Sequence, residues 1–316
     1  MKIFEELHKK FGDRVIEKEQ LGKYTTFKIG GPADYFFETK TTDELVAAIT
    51  LAREHSIPMF ILGGGSNILI GDHGIRGFVI KNSTGSIRMK GMKGTVTGGT
   101  AKKGLVFVEA DSGVIFNSLV RFTIEEGLAG LEMHLGLPGS VGGAIFMNSK
   151  WTHPPGFVGD AVYQAEILTP ENKRITVPNA YFHFGYDTSS IQKTKDILLK
   201  IVFALRSDTR ERLWQIANES IAYRRDSQPQ GVCTAGCAFK NISKAPTSAG
   251  FLIDHTGLKG EHVGDAYISD VHANFIINRG KARAADVVQL IEKVRAKVKE
   301  KFDVILEEEI IRVGEF

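Results

Sequence analysis

Gly63-Gly64-Gly65-Ser66-Asn67 follows directly on the apolar run Met59-Phe60-Ile61-Leu62. Three consecutive glycines let a backbone approach an anion without interference from Cβ, and their N–H groups form a concave donor surface. Ser66 and Asn67 add side-chain donors. The loop lacks the Lys-Ser/Thr ending of a Walker A motif and the G-x-G-x-x-G spacing of a Rossmann turn. Taken alone it is either a phosphate cradle or an ordinary glycine-rich turn.

The flanking sequence alternates strand and helix signals. Thr25 to Pro32 reads as an extended stretch ending in a turn. Thr41-Thr42-Asp43-Glu44 offers a capping box with Thr41 as N-cap. Leu45, Ile49 and Ala52 continue at helical spacing as far as Pro58. Met59–Leu62 reads as a short buried strand, and Gly77–Ile80 as the next. Together they form a β-α-β unit with its glycine-rich turn after the second strand.

Further along, a helix is expected at about Val114–Glu126, left through Gly127-Leu128-Ala129-Gly130-Leu131. A second glycine cluster, Gly136-Leu137-Pro138-Gly139-Ser140-Val141-Gly142-Gly143-Ala144, follows. Two such loops, each beside the end of an element, suit a ligand with an extended phosphate backbone, such as a dinucleotide. From about Asp208 the chain continues as α+β, with a helix at about Ala284–Lys301 whose Val287, Leu290, Ile291, Val294 and Val298 share a face. A final strand is expected from Val304 to Val313.

With 316 residues, 42% of them hydrophobic, the chain has material for two or three domains. A net charge of +3 without a like-charge block argues against a nucleic-acid groove and suits a small anionic substrate. No apolar run approaches the roughly 20 residues of a membrane span. The start Met1–Leu7 reads as an amphipathic helix and carries no signal-peptide core, so a cytoplasmic location is expected. Cys233 and Cys237 are the only cysteines. Their C-x3-C spacing makes an awkward disulfide, no metal-ligand pattern accompanies them, and two free thiols is the simplest account.

Several segments, in order, resemble the UDP-N-acetylenolpyruvoylglucosamine reductase (MurB) family. They are Thr26-Phe27-Lys28-Ile29-Gly30-Gly31-Pro32-Ala33, Leu62–Asn67, Gly130-Leu131-Glu132 with Leu137–Ala144, and Gly236-Cys237-Ala238-Phe239-Lys240-Asn241. Gly250-Phe251-Leu252-Ile253-Asp254, His272-Ala273-Asn274-Phe275 and Leu306-Glu307-Glu308-Glu309-Ile310 complete the set. The resemblance implies an α+β fold: a two-lobed PCMH-type FAD-binding domain of the vanillyl-alcohol-oxidase kind (residues 1–80 and 81–207), then a substrate-binding domain (208–316). It implies FAD as cofactor, NADPH as reductant and a nucleotide-sugar substrate, with no nucleic-acid, membrane or obligate protein partner.

The FAD contacts implied are Ile29, Gly30, Gly63, Gly64, Gly65, Ser66, Asn67, Gly136, Pro138, Gly139, Ser140, Gly142, Gly143 and Arg224. Cys237 stands where the family usually has a serine as proton donor. A thiol, with an ordinary pKa of about 8.5, is a far stronger acid than a hydroxyl and a competent donor. Glu309 matches the family's second carboxylate, although strand periodicity alone does not single it out among three glutamates. Tyr186, Lys240, Asn241 and His272 match substrate-pocket positions, and a lone histidine is otherwise most simply structural.

Three departures stand out. The arginine that the family directs at the substrate carboxylate and enolate is replaced by Asp187, in Phe184-Gly185-Tyr186-Asp187-Thr188-Ser189. The family's Asn-Ala-Gly-Ala-Tyr-Gly becomes Asn148-Ser149-Lys150-Trp151-Thr152-His153-Pro154-Pro155. The lysine before Gln228-Pro229 is Ser227. Lys150, Arg225 and Lys240 are the cations available to compensate. Ser190–Lys193 runs directly into the strand expected from Ile197, which leaves little room for a long inserted lid and points to the short-loop form of the family. The alternatives are a flavoprotein of the same architecture with a changed substrate or oxidase activity, and a non-catalytic FAD- or nucleotide-sugar-binding protein.

Overall fold

The computed structural model describes residues 2–97, 100–242 and 248–316. The chain divides into two compact units. The first holds Met1–Phe37, Ala52–Ile80 and Arg225–Phe316, the second Glu38–Leu51 and Lys81–Arg224.

In the first unit, strands Ile16–Gln20, Pro32–Thr39, Ile75–Asn82 and Met59–Leu62 lie in that order in one sheet. Helix Thr42–Glu54, whose residues up to Leu51 belong to the second unit, lies in the chain between strands Pro32–Thr39 and Met59–Leu62, as the β-α-β reading requires. Its N-terminus is capped by Thr41, whose Oγ1 accepts from Glu44 N–H at 3.2 Å. The return bond differs from a full box, because the Glu44 carboxylate accepts from Lys40 N–H at 2.7 Å. Met59–Ile61 are only half-buried and Leu62 alone is buried, a departure from the expected buried strand. Among the described residues the strand lies at the sheet's edge.

Thr25 has extended backbone angles, but Thr25–Gly31 forms no strand. A 3₁₀ turn at Leu21–Tyr24 leads into it, Lys28 takes φ +58°, and strand structure starts at Pro32. Local bonds replace a ladder here: Thr25 Oγ1 donates to the carbonyls of Gly22 (3.1 Å) and Ile29 (3.3 Å), competing with strand pairing. The N-terminal helix runs Lys2–Phe11, burying Leu7, while Met1 lies outside the described residues.

The remainder of this unit is an antiparallel sheet in the order Cys233–Cys237, Phe275–Asn278, Ala266–Ile268, His262–Val263. Helix Ala284–Phe302 packs its expected face, Val287 to Val298, into a core with Phe27, Leu69, Phe239 and Ile276. Its first turn is capped from a distant loop. The Asp72 carboxylate accepts from the N–H groups of Ala284 (2.8 Å) and Ala285 (3.1 Å), satisfying donors that no intrahelical carbonyl reaches.

The expected strand from Val304 shrinks to Ile311–Val313, which pairs in parallel with Ile68–Ile70. Ahead of it Leu306 and Ile310 are buried and Ile305 is 73% exposed, as in a strand, yet the pairing there is limited to a bridge between Glu308 and Phe239. Backbone bonds there go to one short partner, the Ala238–Lys240 segment, rather than to a continuous ladder.

The second unit is built on an antiparallel sheet ordered Arg174–Pro178, Val162–Leu168, Ile197–Ser207, Thr100–Asp111, Ile87–Thr97, with Leu128–Ala129 pairing the end of the third strand. Helices Phe116–Glu125 and Val141–Met147 contribute Phe116, Leu119, Val120, Val141 and Ile145 to its core. The first is the helix expected at Val114–Glu126, and Gly127 leaves it with φ +65°. Among the described residues no helix is long and apolar enough to cross a membrane.

Candidate functional site

The Gly63–Asn67 loop is tied down at both ends. Gly65 has φ +64°, and a Cβ placed on it would lie 2.4 Å from the Tyr24 carbonyl oxygen, so the turn requires glycine. Its own carbonyl accepts from Thr26 N–H at 3.0 Å. Thr26 Oγ1 in turn donates to the Thr234 carbonyl at 2.7 Å, linking the loop to the strand that ends in Cys237.

Asn67 Nδ2 donates to the Glu309 carbonyl at 3.1 Å, and the Asn67 carbonyl accepts from Ile311 N–H at 3.0 Å. Among the described residues no backbone bond takes up the N–H groups of Gly64, Gly65 or Asn67. A turn that leaves the N–H groups of Gly64, Gly65 and Asn67 out of the backbone ladder fits a diphosphate, so the residues present suit the phosphates of FAD. Ile29 is buried in the core, and Gly30 packs its Cα against Ile70, where a Cβ would come within 3.0 Å of the Ile70 side chain.

Cys237 ends its strand at a break in register. Thr234 pairs with Ile277, but Cys237 pairs with Phe275, and Gly236 takes φ +83° between them. Such a bulge re-aims the residue that follows it. Both cysteines are half-buried free thiols. The neighbouring segment carries Glu309: Phe239 pairs antiparallel with Glu308, Glu309 N–H donates to the Ala238 carbonyl at 2.9 Å, and Lys240 N–H to the Glu307 carbonyl at 2.9 Å. The two sequence-predicted catalytic residues therefore sit on paired backbone segments.

Asn274, which sequence reasoning quoted but did not single out, supports this corner. It is buried; its Nδ2 donates to the Phe239 carbonyl at 2.7 Å, its Oδ1 accepts from Phe239 N–H at 2.9 Å, and its carbonyl accepts from Ala238 N–H at 2.7 Å. The available signal was an amide residue placed between Ala273 and the apolar run Phe275-Ile276-Ile277.

His272 accepts at Nδ1 from Asn274 N–H (3.2 Å) and stands edge-on to Phe275. Burial, and then the charge of Lys259, hold its pKa below the usual histidine value, which favours the neutral ring. Asn241 Oδ1 accepts from Ala249 N–H at 3.0 Å, and Lys240 faces Glu307 at 3.9 Å.

In the second unit the other glycine cluster is spent differently. Ser140 caps helix Val141–Met147, its Oγ accepting from Gly143 N–H at 3.3 Å, while Gly142 N–H donates to the Ser112 carbonyl at 2.7 Å. Gly139, φ +117°, offers its carbonyl to Phe116 N–H, next to Pro138. Gly136 N–H donates to Asn117 Oδ1 at 2.7 Å, and a Cβ there would lie 3.0 Å from Arg224 Cδ. Arg224 stacks over Trp151 with Cζ 3.6 Å from the ring centroid. Beside it His134 is buried with Nδ1 unpartnered among the described residues. Burial first, and then the Arg224 charge, push the His134 pKa down to about 4.

Two of the departures prove to be partners. Lys150 Nζ lies 3.3 Å from Asp187 Oδ2 and 3.4 Å from the centroid of the Tyr186 ring. Among the described residues no group of three or more His, Cys, Asp or Glu side chains is arranged to hold a metal ion.

The family described as FAD binding domain matches residues 33–177, and the family UDP-N-acetylenolpyruvoylglucosamine reductase, C-terminal domain, matches residues 228–313. The chain is 38% identical to the UDP-N-acetylenolpyruvoylglucosamine reductase of Lachnoclostridium phytofermentans, over 96% of this chain and 94% of the relative. It is 37% identical to that of Caldicellulosiruptor bescii, over 99% and 95%. The crystal structure of UDP-N-acetylenolpyruvylglucosamine reductase from Thermus caldophilus superposes with a TM-score of 0.79 at 33% identity, covering 95% of this chain and 99% of that one.

Proposed function

Because the chain belongs to the UDP-N-acetylenolpyruvoylglucosamine reductase family, we propose that it reduces UDP-N-acetylglucosamine enolpyruvate to UDP-N-acetylmuramate, a step of peptidoglycan precursor synthesis in the cytoplasm. Bound FAD, itself reduced by NADPH, supplies the hydride that adds to the terminal carbon of the enolpyruvyl ether.

Within the first unit, Gly63–Asn67 holds the pyrophosphate, with Ile29 and Gly30 as further FAD contacts. Within the second, the proposed FAD contacts are Gly136, Pro138, Gly139, Ser140, Gly142, Gly143 and Arg224. Cys237 gives its proton to the carbon next to the substrate carboxylate as the enolate collapses. Glu309 faces the same reacting system from a backbone pinned on both sides, which keeps its carboxylate in place without reorganisation. The proposed nucleotide-sugar contacts are Lys240, Asn241 and His272 within the first unit and Tyr186 within the second.

The observation that carries this reading is the backbone pairing of the Cys237 and Glu309 segments, with Asn67 of the glycine loop bonded to the Glu309 carbonyl. The test is NADPH consumption that depends on the enolpyruvyl substrate. Cys237→Ala is expected to lose at least about 10²-fold in turnover, the usual contribution of a positioned acid, while its flavin is still reduced by NADPH. Cys237→Ser is expected to retain activity. A colourless protein that FAD does not restore would remove the cofactor from the scheme. The buried Asp187 favours one other reading, an oxidoreductase with a changed substrate, which oxygen consumption with other sugars would support.

A further inference from the structure

We propose that Lys150, fixed by Asp187 over the ring of Tyr186, is the cation that receives the carboxylate of the substrate in this chain. The inference rests on the reduction reading above and deepens it.

The position is built from several directions. Asn148 leaves helix Val141–Met147 with φ +46°; its Nδ2 donates to the Gly185 carbonyl at 2.9 Å and its Oδ1 accepts from Gly159 N–H at 3.0 Å. The residue two places before Lys150 thus grips the turn that carries Asp187. That turn is closed by reciprocal bonds between Gly185 and Thr188, and Gln192 Nε2 donates to the Asp187 carbonyl at 3.1 Å. Asp187 sits at φ +54°, a left-handed conformation that aspartate tolerates better than most residues.

A buried ion pair is by itself weak support for stability, since apolar residues of similar size often serve as well. Two features point beyond a structural pair. The exposure is unequal: the Lys150 side chain is 19% exposed and that of Asp187 only 4%. Of the two charged side chains, that of Lys150 is the one more accessible to an incoming anion. The pair also includes Tyr186, itself 37% exposed and the aromatic of the expected substrate segment, whose ring faces the ammonium. Asp187 and the ring restrain a four-carbon side chain that would otherwise sample many positions, and an ammonium carries three donors with which to serve both carboxylate partners.

The competing cations are placed less well. Arg225 is 70% exposed and paired to its neighbour Asp226, and Lys240 faces Glu307 at 3.9 Å.

Calorimetric titration of the FAD-loaded protein with UDP-N-acetylmuramate, which carries the carboxylate, and UDP-N-acetylglucosamine, which lacks it, tests the assignment. The wild type is expected to prefer the first by about tenfold. Lys150→Met should reduce the preference to less than about twofold with affinity for UDP-N-acetylglucosamine unchanged, and Lys150→Arg should keep most of it. The double variant Lys150→Met/Asp187→Asn removes the pair without stranding a buried charge, so it separates loss of recognition from misfolding, and it too should lose the preference. A preference that survives in either Lys150→Met protein overturns the proposal. Equal wild-type affinity for the two nucleotides overturns it while leaving the reduction reading in place. Wild-type binding of neither overturns both.

Discussion

Asn67 Nδ2 donates to the Glu309 carbonyl at 3.1 Å across 242 residues of sequence, and the Asn67 carbonyl takes the Ile311 N–H at 3.0 Å. One residue of the glycine loop thus fixes the backbone that bears the proposed second carboxylate. Asn67→Ala removes the side-chain bond only. A net hydrogen bond is worth about 1 kcal/mol, so FAD affinity is expected to fall several-fold by loosening of the loop. Turnover should fall as well, because Glu309 loses its tether. Flavin content after gel filtration and kcat measured at saturating FAD report the two effects separately; an unchanged kcat would mean that the tether does not position Glu309.

The loop's central glycine gives a sharper contrast. At Gly65, φ +64° and a Cβ contact of 2.4 Å with the Tyr24 carbonyl oxygen both oppose any side chain. At Gly143 the nearest group to a Cβ is Ser140 Oγ at 3.5 Å, an ordinary contact. Gly65→Ala is expected to cost on the order of 2 kcal/mol or more, against less than about 1 kcal/mol for Gly143→Ala. Chemical denaturation of the two variants measures the difference, and equal midpoints would contradict the geometry.

What could be read in the sequence was what is encoded locally. Thr41 and Glu44 mark a helix start by themselves, and the apolar spacing of Val287 to Val298 marks a buried face, because capping and 3.6-residue periodicity need no knowledge of the rest of the chain. The stretch Val304–Ile310 failed as a strand because a strand exists through its partner, and the partner here is only the short Ala238–Lys240 segment. Thr25–Gly31 failed for a related reason: Thr25 satisfies local carbonyls and the N–H of Thr26 goes to Gly65. In the candidate site, Cys237 and Glu309 were reached by resemblance, whereas Asn274 was passed over because its role lies in bonds to Phe239, 35 residues away. Lys150 and Asp187 stood as two separate anomalies until the fold showed them as a pair.

His134 links the second unit's stability to pH. Its folded pKa is about 4, lowered first by burial and then by Arg224, while an unfolded histidine titrates near 6.5. Between these values the unfolded chain binds a proton that the folded chain refuses. Stability is therefore full above the upper value and is lost as pH falls toward the lower one, by about 2 kcal/mol at pH 5. His134→Phe keeps an aromatic ring against Phe116 and removes the titration. Urea unfolding at pH 8 and pH 5 should show the wild type losing more stability than the variant, and parallel losses would exclude His134 as the source.

Asn274 offers a test of how Cys237 is held. Its side chain closes both hydrogen-bonding groups of Phe239, and its carbonyl takes the N–H of Ala238, the residue after Cys237. Asn274→Ala would leave the buried Phe239 N–H and C=O without those partners, at a cost of roughly 2–4 kcal/mol. Asn274→Asp keeps an acceptor for Phe239 N–H but sets a carboxylate against the Phe239 carbonyl, so it should be impaired to a comparable degree. If Asn274 served stability alone, the folded fraction of each variant would turn over normally. If it positions the acid, kcat at a temperature well below melting should drop at least about tenfold. FAD binding should change little, because none of these bonds reaches Gly63–Asn67. A melting curve, a flavin titration and a steady-state measurement on the same preparation separate the possibilities. Normal kcat with a lowered melting temperature would assign Asn274 to the core and not to the positioning of Cys237.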